Sequence, residues 1–316
     1  MRSLLITNVL VFFLATTHSI IVSRRYSTKV EFDNEETKND LLGEYKARSL
    51  CMCSAKCRKD CRFFGYNNNL KLCRVYRKVY TTQKSNMENG WRYFFNNFLP
   101  LDCSDLREDG HTTSGVYDIY PYSTGAHPIR AYCDMGTMNG GWTAIQKRIN
   151  GFQSFDQKWP EYKNGFGDPE QDYWIGNDVI HQLTKRKNSR LYVSISLTDG
   201  RTLFELYDRF SVSNETEKYK LFLAGKPSGT LGDSIFKTGT NGADLSGMFF
   251  STPGTDNDRS IKGVCTQHCR CGWWMNDCYN ACLNGPWSTK AWQAPWAPAV
   301  MSGKSVTGTK MMIRRH

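Results

Sequence analysis

Residues 129 to 184 read IRAYCDMGTMNGGWTAIQKRINGFQSFDQKWPEYKNGFGDPEQDYWIGNDVIHQLT, and the chain on either side of them sets the fold class. At the end of this stretch Asn177 offers an N-cap to a short helix whose apolar residues are Val179, Ile180 and Leu183. The basic run Lys185-Arg186-Lys187 suits that helix's C-terminus. Downstream the period changes: Leu191, Val193, Ile195 and Leu197 alternate with Tyr192, Ser194 and Ser196, which predicts a strand. Asp199-Gly200 predicts a hairpin turn, Leu203 to Phe210 the return strand, and the run near Tyr219 to Leu223 a third strand. From Gly225 to Gly247 the chain is rich in Gly, Thr and Ser and predicts irregular loops. The class is α+β, an antiparallel sheet flanked by short helices and followed by a loop-built end.

The chain opens MRSLLITNVLVFFLATTHS. Arg2 precedes an apolar run, Leu4 to Ala15, with the small residues Thr17 and Ser19 beyond it, the pattern of a secretory leader over residues 1–22. A buried N-terminal helix is the competing reading, but no polar residue divides the run into two faces. The run is too short to span a bilayer, and no other hydrophobic run approaches spanning length. Arg24-Arg25 offers a second processing point. Residues 23–44 are polar, without periodicity, and read as a flexible lead-in.

The chain has 12 cysteines, which fit an oxidising, extracellular compartment where they pair as disulfides. Five lie between Cys51 and Cys73, two are Cys103 and Cys133, and five lie between Cys265 and Cys282, so neither outer group closes on itself. Asn214-Glu215-Thr216 is an N-glycosylation sequon. The net charge of +11 favours anionic partners such as acidic glycans or cell surfaces. The basic residues are scattered and no nucleic-acid motif accompanies them, so a solvated basic surface is the simpler reading.

In SLCMCSAKCRKDCRFFGYNNNLKLCRVY, residues 49 to 76, Cys53 and Cys57 are spaced to share one face of a short helix. RFFGY and LKLCRVY then read as strands joined by a turn at Asn67-Asn68-Asn69. A helix tied by disulfides to a hairpin stabilises a segment too small to bury much core. The Cys-x3-Cys-x3-Cys-x4-Gly-Tyr-Asn run and the closing Leu-Cys resemble a PAN/apple module over residues 45–98. That resemblance implies the pairs Cys53–Cys73 and Cys57–Cys61 and leaves Cys51 over. A ligand-free spacer and a binding module both fit.

From residue 101 to 316 the motifs resemble the fibrinogen C-terminal domain. They are Asp102-Cys103, Ser114-Gly115-Val116-Tyr117, Cys133-Asp134, Gly140-Gly141-Trp142-Thr143, Phe155, Trp159, Tyr162, Gly165-Phe166-Gly167, Trp174-Ile175-Gly176-Asn177 and Leu183-Thr184. FFST at 249 to 252, GWWM at 272 to 275 and LNG at 283 to 285 continue the series. The resemblance implies that family's fold, with a loop-rich calcium-binding end and the disulfides Cys103–Cys133 and Cys265–Cys278.

That end falls on TDNDRSIKGVCTQHCRCGWWMNDC, Thr255 to Cys278. Calcium takes several hard oxygen ligands in tolerant geometry, and Asp256 and Asp258 could converge on one ion. Alone, an Asp-x-Asp is a common surface pattern. The resemblance places both on the family's calcium-binding aspartates, with backbone carbonyls from within Ser260 to Gly263, taken as Ser260 and Lys262. Gly254 stands where the family often has an acid, and one extra residue separates Asp258 from Cys265. Zinc on Cys265, Cys269, Cys271 and His268 lacks paired Cys-x2-Cys spacing and conflicts with the secretory route. Cys269, Cys271 and Cys282 exceed the family pattern. A bond from Cys282 to Cys269 or Cys271 would leave one thiol to meet Cys51, within one chain or between two.

The resemblance also implies a cis bond at Asp277–Cys278 and a ligand pocket there. The lectin-like members bind acetylated sugars at this corner, and fibrinogen receives a peptide. Here the pocket residues are Asp277, Cys278 and Tyr279, the last where histidine is common. Cys269 replaces a wall aromatic, and only PWSTKA separates Gly285 from Trp292 where a longer loop is usual. Trp287 and Trp292 either rebuild an aromatic surface or fill the core. No nucleophile elbow, phosphate loop or metalloprotease motif is present, which disfavours an enzyme. The leading expectation is a secreted, calcium-stabilised recognition protein of ficolin or tachylectin type that binds carbohydrate or acidic surfaces. The alternative is a matrix or signalling ligand, angiopoietin-like or tenascin-type, for a cell-surface receptor. A homo-oligomer would raise avidity in either case.

Overall fold

The computed structural model describes residues 10–12, 24–28, 41–57, 61, 63–76, 90–96, 99–122, 127–186, 188–236, 244–286, 296 and 306–316. The chain forms two compact units, Met1–Leu99 and Pro100–His316. Among the described residues no helix is long and apolar enough to cross a membrane.

In the first unit the strands β1 (Leu10–Phe12), β2 (Arg24–Thr28), β3 (Leu41–Lys46), β4 (Phe63–Asn67), β5 (Leu72–Tyr76) and β6 (Trp91–Asn96) form one antiparallel sheet. Its order is β1-β2-β6-β4-β5-β3. The expected hairpin is β4–β5. Asn67 Oδ1 accepts from the backbone N–H groups of Asn69 and Leu70 at 3.0 Å, which closes the turn. Two expectations are corrected. Residues 24–28 and 41–44 lie in strands where a flexible lead-in was expected over 23–44, because β3 pairs with the open edge of β5 and β2 with that of β6. Paired backbone groups, not side-chain periodicity, select these strands. The helix α1 (Leu50–Ser54) stops short of Cys57, so Cys53 and Cys57 do not share a helical face. Ser49 caps α1, and the bonds Cys53–Cys73 and Cys57–Cys61 staple this region. All four sulfurs are buried with Phe64, Tyr66, Val75 and Phe94.

The second unit is built on an antiparallel sheet whose main path runs β10 (Phe166–Gly167), β11 (Tyr173–Trp174), β9 (Trp142–Arg148), β18 (Val306–Arg315), β12 (Ser189–Leu197), β13 (Thr202–Val212) and β14 (Leu221–Ala224). β7 (Gly115–Ile119) pairs with β8 (Ile129–Asp134), which pairs with β9, and β15 (Ser228–Gly229) adds to β13. The alternating run is β12: Leu191, Val193, Ile195 and Leu197 are buried as the period requires. Tyr192 on the opposite face is buried too, stacked on Phe204 with ring centroids 5.3 Å apart. β12 and β13 meet at the Asp199-Gly200 turn, where Gly200 adopts φ 84°, a left-handed value that suits glycine.

Helix α2 (Cys103–Glu108) is capped by Asp102, which accepts from Ser104 N and Asp105 N, and Cys103–Cys133 ties it to β8. α3 (Trp159–Asn164) and α4 (Asn177–Thr184) complete the helical layer. The expected cap at Asn177 is corrected: Gly176 precedes the helix, and Asn177 is its first residue. Asn177 is buried, and its Oδ1 accepts from Trp174 Nε1 at 3.0 Å. A buried indole N–H needs an acceptor, and that demand takes the side chain the helix end would have used. The third expected strand begins at Leu221, two residues late, because Lys218 and Tyr219 take positive φ.

Candidate functional site

A short ribbon frames the loop-built end: β16 (Phe250–Ser251) pairs with β17 (Trp273–Trp274). Both strands plug into an aromatic core. Phe250 lies 5.3 Å from Trp274 and from Tyr162, and Trp174 lies 6.2 Å from Trp274 by ring centroids. Trp274 Nε1 donates to Tyr219 O at 2.8 Å. The GWW motif is therefore an anchor. It fixes the ends of a loop of 21 residues, 252–272, whose middle has little secondary structure.

The loop folds on its own polar groups. Thr252 and Thr255 exchange backbone hydrogen bonds across a tight turn. Asn257 is fastened to the ribbon, N–H to Ser251 Oγ at 3.0 Å and Nδ2 to Phe250 O at 2.9 Å. Asp256 and Asp258 flank it. Asp256 Oδ1 accepts from Asp258 N at 3.0 Å. Asp258 Oδ1 accepts from Ser260 N at 2.9 Å, and its Oδ2 from Cys265 N at 2.8 Å. Burial, together with the neighbouring Asp256 carboxylate, pushes the Asp258 carboxyl above its usual value despite those hydrogen bonds. Two carboxylates held this close are relieved by a hard divalent cation, and every side-chain donor in the set is oxygen. The residues present thus fit calcium. Ser260 Oγ accepts from Lys262 N at 3.3 Å.

In the last part of the loop α5 (Cys265–Cys269) leads towards β17, and Cys265–Cys278 closes the corner. The Asp277–Cys278 peptide bond is cis. Arg259 N donates to Asn276 O, Asn276 N to Cys278 O, and Asn276 Nδ2 to Asp244 O, so Asn276 ties the corner to the loop. Ser260, Lys262, Gly263, His268, Asp277, Cys278 and Tyr279 line an open cleft of about 340 Å³. It brings the expected pocket residues Asp277, Cys278 and Tyr279 together with Ser260 and Lys262, assigned in sequence only as carbonyl ligands. His268 and Gly263 were not expected there. Gly263 was marked only by its place in the loop before Cys265, and His268 only as a metal-capable side chain just after it. Trp287 and Trp292 lie outside the described residues. Trp296 is buried, and its Nε1 donates to Gly232 O at 2.7 Å.

Behind the cleft, Cys269, Cys271 and Cys282 are unbonded, and Cys51 in the first unit is a half-buried thiol. Cys265 is disulfide-bonded and His268 is not part of this sulfur group, so the zinc set considered above does not form. Asn214, the sequon residue, caps a turn of 3-10 helix at Glu215–Glu217, accepting from Glu217 N, and Thr216 Oγ1 donates to Asn214 Oδ1 at 2.7 Å.

Comparison with known proteins matches residues 99–316 to the family of fibrinogen beta and gamma chains, C-terminal globular domain. Human fibroleukin is 41% identical over 184 residues, 58% of this chain and 41% of its own length. Human angiopoietin-2 is 37% identical over 222 residues, 67% of this chain and 42% of its own. Among solved structures, the lamprey fibrin D-dimer complexed with the peptide ligand Gly-His-Arg-Pro-amide superposes with TM-score 0.60 at 29% identity, covering 69% of this chain and 74% of that one. The chain thus spans about two-fifths of the length of the curated relatives it matches.

Proposed function

We propose that this chain, which belongs to the fibrinogen C-terminal domain family, is an extracellular ligand that offers the cleft at Asp277–Cys278 to a peptide or protein receptor. The observation that carries this reading is the cleft itself. Three stretches of chain converge there: the loop Ser260–Gly263, the helix bearing His268, and the Asp277–Tyr279 corner. Its lining holds a carboxylate (Asp277), a cation (Lys262) and a phenol (Tyr279), a mixed set suited to the charged and amide groups of a peptide. Likeness to a fibrin fragment solved with a peptide, and to angiopoietin-2, favours a protein partner over the sugar-binding alternative.

In this reading residues 1–22 are the secretory leader and Asn214 carries a glycan. Residues 45–98 form a PAN-like module that spaces or oligomerises the globe. Calcium at Asp256 and Asp258, with the carbonyls of Ser260 and Lys262, braces the loop that forms one wall of the cleft. Carbohydrate remains the second reading on one observation: the Tyr279 ring at the cleft supplies an aromatic face of the kind that packs on sugars. Binding of the secreted chain to cells, after protease or glycosidase treatment, separates the two. Loss of binding on proteolysis but not on glycan removal, with loss in Asp277→Ala, fits a protein receptor. Binding that survives proteolysis and follows the glycans would sink it.

A further inference from the structure

Three sulfur atoms behind the cleft take no part in the disulfides or in the calcium loop. Cys269 ends α5, Cys271 precedes β17, and Cys282 follows Ala281, which bridges to Trp296. They are 2%, 0% and 4% exposed. Cys271 Sγ lies 3.0 Å from Cys269 Sγ and 3.0 Å from Cys282 Sγ, and all three fall within 4.8 Å of one another. A point within about 2.5 Å of all three sulfurs exists, close to the length of a metal–thiolate bond, about 2.3 Å. Trigonal ligation at that length sets sulfurs about 4 Å apart, so metal loading would spread the two 3.0 Å edges. The shape is wrong for thiol–disulfide exchange, which needs its three sulfurs nearly in line. A disulfide between any two would leave the third thiol buried beside it.

We propose that Cys269, Cys271 and Cys282 form an all-sulfur site for one soft cation of the copper(I) class, whose occupancy and burial shield the trio from the fifth disulfide that an oxidising compartment would otherwise form. Among the described residues no histidine or carboxylate joins the group, and thiolates alone select soft d10 ions. Structural zinc sites close with four ligands, whereas three thiolates suit trigonal copper(I). A bound cation deprotonates the thiols that ligate it. The Arg148 guanidinium, paired first with the buried Asp172, also interacts electrostatically with Cys271 and offsets part of the charge that three thiolates leave. Loading forms three copper–sulfur bonds and releases the thiol protons to solvent. No electron changes hands.

The test uses the whole secreted chain, purified without chelator or reductant. Alkylation under denaturing, non-reducing conditions first counts its thiols. Copper(I), supplied under argon as its acetonitrile complex, is then titrated against the copper(I) chelator bathocuproine disulfonate, alongside Cys269→Ser and Cys282→Ser. The expected result is three alkylated thiols in the trio and one copper held at least tenfold more tightly than by either variant. X-ray absorption of the loaded parent should show three sulfur neighbours at about 2.3 Å. Mass mapping that finds two of the three joined in a disulfide overturns the site, as does equal copper retention by parent and variants or a nitrogen–oxygen shell. The thiol count and the absorption spectrum need no variant, so a variant that fails to fold leaves the answer intact.

Discussion

Asp256 and Asp258 both face the proposed calcium, yet the structure separates their roles when the ion is removed. Asp258→Ala deprives two backbone N–H groups of their acceptor, Ser260 N at 2.9 Å and Cys265 N at 2.8 Å. A charged acceptor is worth about 1.5–3 kcal/mol per bond when buried, and the half-exposed position of Asp258 takes the lower end. Relief of its desolvation and of the Asp256 charge returns part of this, so the net loss should be about 1–2 kcal/mol, or about 2–8 °C in Tm for a domain of this size. Asp256 is exposed and accepts one bond, from Asp258 N at 3.0 Å, so Asp256→Ala in chelator should cost less than about 1 kcal/mol. Calcium at a hundred times its Kd should stabilise the parent by about 2.7 kcal/mol and neither variant by as much. Thermal scans followed by tryptophan fluorescence, in chelator and in calcium, give all six values. An Asp258→Ala protein as stable as the parent in chelator would refute the hydrogen-bond reasoning. A full calcium shift in Asp256→Ala would remove that residue from the site.

Gly272→Ala should cost about 1–3 kcal/mol, because its Cβ would lie 2.6 Å from the Tyr162 ring in the packed core; a drop in Tm measures it. Arg315 pairs with Asp102 at 2.6 Å and with Asp105, so Arg315→Met should leave the buried Asp102 unpaired and cost about 3 kcal/mol. Adding Asp102→Asn should recover part of that loss in denaturant titration. Hydrogen bonds from Lys163 and then Trp159 hold the Glu215 carboxyl below its ordinary 4.5, so its contribution is full above about pH 4.5 and is lost as pH falls through the lowered folded value. Glu215→Gln should flatten that acid limb while costing under about 1 kcal/mol at pH 7, since the pair is solvent-exposed. Asn214→Gln should remove one N-linked glycan, read as the loss of a glycosidase-sensitive mass shift.

The sheet was legible where burial is one-sided or deep. Leu191, Val193, Ile195 and Leu197 could be read as β12 because every second position meets the core. The ordered glycine and tryptophan motifs carried the family, since Trp174, Trp273 and Trp274 sit where few other side chains fill the space. Legibility failed where the deciding partner is remote in sequence. Nothing local shows that the Trp174 indole claims Asn177, or that β5 offers an edge to a polar segment at 41–46. His268 carried metal chemistry as its only local suggestion, and its place in the cleft follows from how α5 leaves the disulfide. The convergence of Cys269, Cys271 and Cys282 is likewise a property of the fold; their spacing is compatible with several pairings.

Strand β18, Val306–Arg315, lies between β9 and β12 in the middle of the sheet rather than at its rim. During synthesis both of those strands leave the ribosome more than a hundred residues before their shared neighbour. Until Arg315 has emerged, each waits with a row of unsatisfied amides facing the other. The sheet of the globe thus cannot close until β18 has been made, however early its other strands are available. A nonsense mutation between residues 280 and 305 would deliver a chain that keeps its cleft residues and lacks the strand that closes the sheet.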